Sequence, residues 1–156
     1  MSEEDGLIHA CRLDGKGGCA EIGWDDLSVV AEGSAVWAHL QFSSERSQKW
    51  LRQESGLSPL IAEALLYEET RPRCVAVGDG LLINLRGVNL NPDANPEDMV
   101  ALRLYVDQYR MISVRRRRLM AVQDIRDRLA EGRGPQDSAG FIVDITSGLM
   151  ERMGPV

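Results

Sequence analysis

The stretch RCVAVGDGLLINLRGV, residues 73–88, predicts a β-hairpin in the middle of the chain. Two β-prone runs, 73–77 and 81–88, flank Gly78-Asp79-Gly80. An Asp-Gly step between such runs is a strong signal for a tight hairpin turn. The two runs should therefore pair as neighbouring antiparallel strands, and the segments on either side should extend the same sheet.

The segment 100–107 extends this sheet, because its apolar residues stand at every second position. A period of two is that of a strand with one face on a core. We expect Arg103 and Tyr105 on the opposite side of the strand from the apolar set, which is Val100, Leu102, Leu104 and Val106. Further strands are expected at 6–14, 19–22, 35–40 and 111–114.

Helices are expected on both sides of the strand-rich middle. Ser44 can cap one helix, and Ser58-Pro59 is a start signal for a second, with proline at the first helical position. The second helix should end at Arg71-Pro72, because the residue before a proline avoids the helical region. Apolar residues recur every three or four positions in 119–129 and 141–153. This order predicts an α/β fold with a mixed sheet covered on two faces.

The composition indicates one ordinary globular domain. The chain has 156 residues and a formal charge of −6, whereas a general nucleic-acid binder needs a net basic face. Three cysteines, Cys11, Cys19 and Cys74, match no disulfide scaffold and favour a reducing compartment. No apolar run approaches the roughly 20 residues that cross a bilayer.

No motif for catalysis or cofactor binding is present, and we expect neither catalytic nor cofactor-binding residues. The sequence lacks the nucleophile elbow, the phosphate loop, the dinucleotide fingerprint and the helical zinc-protease motif. Of the two histidines, His39 lies within an expected buried strand, where a core role is the better interpretation. An enzyme is therefore not expected.

His9, Cys11 and Cys19 are the candidate metal ligands. If Gly15 centres a hairpin turn, positions 11 and 19 lie opposite each other, and His9 shares a face with Cys11. Thiolate and imidazole are zinc-type ligands. The spacing matches no recurrent zinc module, however, and free cysteines are often small buried hydrophobes. We expect weak zinc binding or none, and the hairpin site stays open as the alternative.

The run Arg115 to Arg118 allows two interpretations. It could bind phosphate or lipid headgroups, which would make the chain a freestanding anion- or nucleic-acid-binding module. It could equally be a solvated junction between a strand and a helix. One short basic run on an acidic protein favours the junction, and no nucleic-acid partner is expected.

Several stretches together resemble a known family. They are WAHL (37–40), PLIAEALL (59–66), EETRPRC (68–74), GDGLLINLRGVNLN (78–91), ISV (112–114) and VQDIR (122–126). They resemble the cytoplasmic N-terminal domain of the CorA family of divalent-cation transporters, and most of all its ZntB-type zinc branch. The resemblance covers nearly the whole chain.

This resemblance implies a fold, a function and an assembly. The fold is an α/β/α sandwich around a mixed sheet, in a single domain over 1–156. The function is that of the cytoplasmic funnel or regulatory domain of a transporter of zinc or another divalent cation, contributing to assembly and gating. The full-length protein would be a pentamer with this domain on the cytoplasmic side of the inner membrane. The stalk helix, membrane helices and pore signature would lie outside these residues, leaving the fragment soluble, and a monomer or weak oligomer.

One departure from the family affects metal regulation. Magnesium-transporting relatives carry Glu-Asp where this chain has Glu63-Ala64, and the resemblance assigns that aspartate to a regulatory metal site between subunits. Alanine offers no oxygen ligand to a hard cation. Magnesium gating at this helix is therefore in doubt, and Glu63 alone does not make a site.

Overall fold

A computed structural model gives the structure of the chain and describes residues 6–27, 35–67, 73–88, 99–116 and 119–153. The strands are β1 Leu7–Leu13, β2 Cys19–Glu21, β3 Val36–Gln41, β4 Arg73–Val77, β5 Gly80–Val88, β6 Met99–Val106 and β7 Arg110–Arg115. The helices are α1 Glu45–Lys49, α2 Pro59–Leu65, α3 Met120–Ala130 and α4 Ser138–Met153. A short 3₁₀ turn spans Trp24–Asp26, and a π-helical turn, Trp50–Glu54, continues α1.

These strands form one seven-stranded sheet in the order β2-β1-β3-β7-β6-β5-β4. Strands β3 and β7 pair in parallel, and the other neighbours are antiparallel, so the sheet is mixed as predicted. The 73–88 hairpin is confirmed, with its turn at Gly78-Asp79 between β4 and β5. Strand β2 therefore lies at one edge of the sheet and β4 at the other.

Two hydrophobic cores lie on the two faces of the sheet. The first packs α3 and α4 on the strands through residues such as Ile125 and Phe141. The second packs α1, its π-helical continuation and α2 through residues such as Leu51 and Leu65. The α/β/α sandwich is thus present, because amphipathic helices cover both faces of one sheet.

Strand β6 shows why two cores are needed. Leu102, Leu104 and Val106 face the first core, which confirms the predicted alternation, while Tyr105 packs in the second. Arg103 lies on that second side and is only 1% exposed, with its guanidinium over the Phe42 ring. The expectation of a single core face was incomplete, because helices also bury the polar side of this strand. The side chain of Val100 lies outside the described set.

The predicted helix starts are confirmed, and one predicted end is wrong. Ser44 accepts a hydrogen bond from the Ser47 amide, and Ser58 accepts one from the Ile61 amide. Helix α2 ends at Leu65 rather than at Arg71-Pro72, which lies outside the described residues. The Leu66 amide bonds both to a carbonyl four residues back and to one three residues back, and such tightening closes a last turn.

Within the described segments, no helix combines the length and the apolar character that a membrane crossing needs.

Candidate metal centre

The hairpin between β1 and β2 brings the predicted ligands to one edge of the sheet. Leu13 pairs with Cys19, and Cys11 pairs with Glu21. The turn is therefore centred one residue later than the predicted Gly15, and Cys11 and Cys19 are diagonal neighbours rather than direct partners. Cys19 lies two residues from Glu21, the direct partner of Cys11, and side chains two residues apart on a strand point to the same side, so the two cysteines still share a face.

The side chain of Asp14 and two glycines set this turn. Asp14 Oδ1 accepts hydrogen bonds from the amides of Lys16 at 2.7 Å and Gly18 at 3.0 Å. Gly15 and Gly17 have φ values of 79° and 100°, a region that side chains other than glycine rarely adopt. Those amide bonds also hold the pKa of the Asp14 carboxyl below its usual value. Together they explain why the hairpin closes after residue 14.

A bulge in β1 separates the side chain of His9, which shares a face with Cys11, from that of Leu7. Leu7 pairs with Leu40, but His9 pairs with His39, so the register shifts between residues 7 and 9. Leu7 packs in the core under α1 and α2, whereas His9 joins Cys11 on the α3 side. Without the extra residue the two side chains would share a face, so the bulge separates them.

The ligand atoms of His9, Cys11 and Cys19 converge. One atom from each, an imidazole nitrogen and two sulfurs, lies within 4.8 Å of the others. Sequence spacing alone left these residues as an open alternative, and the fold gathers them into one cluster. No other group of three such side chains is close enough to hold a metal ion in the described ranges of the chain.

His9 is held uncharged with a nitrogen available. Its ring meets the Trp37 ring edge-on, with centroids 5.0 Å apart. Burial first, and then the charge of Arg126, lower the pKa of His9 to about 4. At neutral pH the imidazole is therefore neutral, which is the form that binds metals. Its Nε2 atom is buried and makes no hydrogen bond to any described residue.

The two cysteines are free thiols in different degrees of burial. Cys11 is fully buried and Cys19 is half-buried. Burial, followed by a hydrogen bond with Cys19, raises the pKa of the Cys11 thiol. A bound cation would have to displace that proton, because the thiolate is the form that coordinates metals. Cys74 is exposed on β4, at the other edge of the sheet.

A pocket of about 130 Å³ opens beside the cluster. His9, Glu21 and Arg126 are among the residues that line it. Glu21 is exposed and stands directly opposite Cys11 in the strand pairing. Arg126 comes from α3. Sequence reasoning missed both residues, since only the hairpin register and the packing of α3 bring them beside His9.

His39 is buried, as predicted for a core strand. Its Nδ1 lies 2.6 Å from Ser113 Oγ, which also accepts a hydrogen bond from Trp37 Nε1 at 3.0 Å. Burial, then the charge of Arg115, lowers the pKa of His39 well below its usual value. The second histidine therefore belongs to the sheet interior and not to the cluster of ligands.

The arginine run is divided between two faces of the sheet. Arg115 is 6% exposed and lines a cavity with His39 and Arg126, so the solvated-junction interpretation is wrong for this residue. Its burial follows from its place at the end of β7, which α3 covers. Arg116 is exposed and lies over the Phe42 ring at 4.3 Å. Arg117 and Arg118 lie outside the described residues. The two described arginines thus form no common basic surface.

Comparison with known sequences gives a consistent set of relatives. Residues 32–156 match the family described as CorA-like Mg2+ transporter protein. The chain is 39% identical over 149 residues to the zinc transport protein ZntB of Pectobacterium carotovorum subsp. carotovorum strain PC1, covering 96% of the chain and 45% of that protein. It is 40% identical over 154 residues to the divalent cation transporter CmaX of Pseudomonas aeruginosa, covering 97% and 46% respectively.

Solved structures agree with these sequence matches. The structure of full-length CmaX matches with a TM-score of 0.91 at 39% identity, over 97% of this chain and 47% of that one. The ZntB cytoplasmic domain from Vibrio parahaemolyticus matches with a TM-score of 0.82 at 25% identity, over 95% and 59%. The chain thus spans about half the length of the curated relatives it matches.

Proposed function

Because this chain belongs to the CorA-like Mg2+ transporter family, we propose that it is the cytoplasmic domain of a transporter for zinc or another divalent cation. One observation carries the proposal. Nearly the whole chain matches one half of full-length CmaX with a TM-score of 0.91. The match to a ZntB cytoplasmic domain supports the same placement, on the cytoplasmic side of the membrane.

The domain's role in transport would be electrostatic and regulatory rather than catalytic. With a formal charge of −6, several copies around an axis would form an acidic wall that raises the local concentration of cations. Helices packed on both faces of one sheet, each over its own hydrophobic core, give each copy a stiff body. A rigid domain of this kind can transmit a change at its surface to a pore, which is the basis of the proposed gating role.

The full-length protein would be a homopentamer, and the domain itself would supply little of the association energy. Like-charged acidic copies repel one another. Contacts between domains alone resemble transient interfaces of roughly 600–1,500 Å². We expect the 156-residue chain to be a monomer or weak oligomer in light scattering at about 10 μM, where only contacts with dissociation constants near or below micromolar persist. A stable pentamer would contradict this.

A chimeric transporter tests the proposed function. The matching half of CmaX is replaced by this chain, and uptake of radioactive zinc is measured in vesicles containing the purified chimera. We expect uptake above that of empty vesicles, because the two folds match with a TM-score of 0.91 over 97% of this chain.

The matched control for the chimera is Leu104→Asp, which places a charge at a fully buried position of β6. That control should assemble poorly and transport little. A chimera that assembles and inserts as well as CmaX, yet takes up no divalent cation, would contradict the proposal.

A further inference from the structure

We propose that His9, Cys11 and Cys19 bind one divalent cation of the zinc class between the β1–β2 hairpin and α3. The inference goes beyond the proposed function, because it concerns a resident site in the domain and not the transported ion. It rests on the geometry of these three side chains and would hold even if the transporter role were wrong.

The chemistry of the three ligands selects the ion. Two cysteine sulfurs and one imidazole nitrogen are the donors that Zn²⁺ accepts in tetrahedral sites, whereas Mg²⁺ and Ca²⁺ require oxygen ligands. Two thiolates carry a charge of −2, so they neutralise a dication when both lose their protons. The nearby charges of Arg126 and Glu21 are opposite in sign and offset each other. The half-buried site therefore gains no net charge on binding, which limits the penalty for removing the ion from water.

The distances in the cluster allow coordination after a small adjustment. With zinc–sulfur bonds of about 2.3 Å and zinc–nitrogen bonds of about 2.1 Å, tetrahedral ligand atoms stand about 3.6 to 3.8 Å apart. The three atoms here are within 4.8 Å of one another. Each side chain must move inward by less than about 1 Å, which a modest rotation about χ1 supplies. No change of backbone register is required.

The backbone of the site is fixed before any ion arrives. Asp14 closes the hairpin turn, and the Gly134 amide donates to the Gly17 carbonyl at 2.7 Å, which fastens the turn to the α3–α4 loop. Packing on Trp37 restrains the His9 ring. Ligands that stand on restrained strands lose less conformational freedom on binding than ligands on mobile loops.

The unpaired Nε2 atom of His9 is the second observation that favours a ligand. Buried polar atoms in folded proteins nearly always have a hydrogen-bond partner. This nitrogen has none among the described residues, although it is buried in a neutral ring beside two thiols. Coordination would give the imidazole the partner that it lacks. The fourth position would face the pocket lined by Glu21, leaving room for water or for that carboxylate.

The chain itself offers a matched set of variants for the test. Cys11→Ser and Cys19→Ser each remove one proposed ligand, and Cys74→Ser removes the exposed cysteine at the far edge of the sheet. Binding of Zn²⁺ to the 156-residue chain is measured by isothermal titration calorimetry in the presence of a phosphine reductant. Binding of Co²⁺ is followed by absorption, since sulfur–cobalt charge transfer reports thiolate ligation directly.

We expect the wild-type chain and Cys74→Ser to bind one Zn²⁺ with the same submicromolar dissociation constant and to show the sulfur–cobalt band. Loss of an outer-shell partner already weakens metal sites 10–100-fold, so loss of a thiolate ligand should weaken binding at least about 100-fold. His9→Gln should weaken binding while keeping the sulfur–cobalt band, because both thiolates remain.

Three results would overturn the proposal. They are no stoichiometric zinc binding by the wild-type chain, binding that Cys11→Ser and Cys19→Ser leave unchanged, and a Cys11–Cys19 disulfide that persists in the reductant. Circular dichroism and thermal melting of each variant show whether it is folded. Cys19→Ser is the decisive variant if Cys11→Ser unfolds, because Cys19 is only half-buried. None of these measurements involves transport, so their failure would leave the proposed function untouched.

Discussion

The two edges of the sheet place the same residue type in opposite environments. At the β2 edge, Cys11 and Cys19 lie beside a buried histidine nitrogen, with α3 packed over them. At the β4 edge, Cys74 is exposed, and the neighbouring Val75 is 42% exposed. The cysteines therefore join a cluster of potential metal ligands only at the edge where α3 covers the strand and a histidine shares their face. Composition alone does not distinguish the three cysteines.

The largest expected difference between the edges is in packing. Leu13→Ala in β1 should lower the free energy of unfolding by about 2–5 kcal/mol, because Leu13 is buried in the first core. Val75→Ala in β4 should lower it by less than about 1 kcal/mol, since that side chain is already half in water. Urea denaturation of the two variants measures both values. Equal losses would mean that the β4 edge is covered as fully as the hairpin.

The cysteines themselves give the next largest difference. In the metal-free chain, Cys11→Ser should be destabilised by about 1–3 kcal/mol, because it places a hydroxyl in a fully buried apolar site. Cys74→Ser should stay within about 0.5 kcal/mol of the wild type, as expected of an exposed position. Denaturation in the presence of a chelator isolates this effect from metal binding. A neutral Cys11→Ser would show that the hairpin loosens enough to hydrate the residue.

Local sequence patterns predicted the strands, turns and helix caps better than they predicted which side chains the rest of the chain buries. The alternation in β6, the turn at Gly78-Asp79 and the caps Ser44 and Ser58 are short-range signals, and the structure confirms each of them. The predicted end of α2 was wrong because a proline only limits how far a helix can extend, and the helix stops at Leu65, before it reaches that limit. The burial of Arg103 was missed because it depends on helices distant in sequence.

The ligand cluster was predictable in membership but not in geometry. Period-two reasoning placed His9 and Cys11 on one face, and the hairpin brought Cys19 to them. The turn was misplaced by one residue, because the glycine pattern was considered without the hydrogen bonds that the Asp14 side chain accepts from the amides of Lys16 and Gly18. The bulge before His9 and the arrival of Arg126 from α3 have no local sequence signal. Both are consequences of packing against the rest of the chain.

Acid should weaken the hairpin end more than the β4 edge, because both histidines of the chain lie on β1 and β3. Their pKa values are lowered by burial, that of His9 to about 4, while an unfolded histidine titrates near 6.5. Between these values the unfolded chain binds more protons than the folded chain. The stability from neutral histidines is therefore complete above about pH 6.5 and is lost as the pH falls toward 4.

The measurement for this effect is the slope of unfolding free energy between pH 7 and pH 5, in chelator. His39→Gln should reduce that slope by up to about 1.4 kcal/mol per pH unit, the limit for one proton. The slope is informative even if the variant is less stable overall, since only the titrating group changes it. An unchanged slope would mean that folding does not shift the pKa of His39.

The smallest expected effect concerns Glu63 on α2, a surface that the family resemblance connects with regulatory metal. Its carboxylate is already engaged, since Arg52 Nε lies 2.6 Å from Glu63 Oε1, and both side chains are exposed. That bond, more than the charge itself, lowers the pKa of Glu63. Beside it, Ala64 offers no oxygen ligand. A carboxylate satisfied by an arginine and lacking a neighbouring ligand has little to offer a hard cation.

Glu63→Gln should therefore leave the affinity of the 156-residue chain for zinc unchanged and its response to magnesium undetectable. Titration calorimetry with zinc and with magnesium gives the dissociation constants of Glu63→Gln and of Cys19→Ser, so that the effects of a change on α2 and of a change in the hairpin cluster can be compared directly. Arg52→Gln is the matched control, because it releases the carboxylate without removing it. If magnesium bound to the wild-type chain and Glu63→Gln abolished that binding, α2 would hold a site despite Ala64. Cation binding would then not be confined to the β1–β2 hairpin edge, and the comparison of the two sheet edges would no longer account for where the domain binds metal.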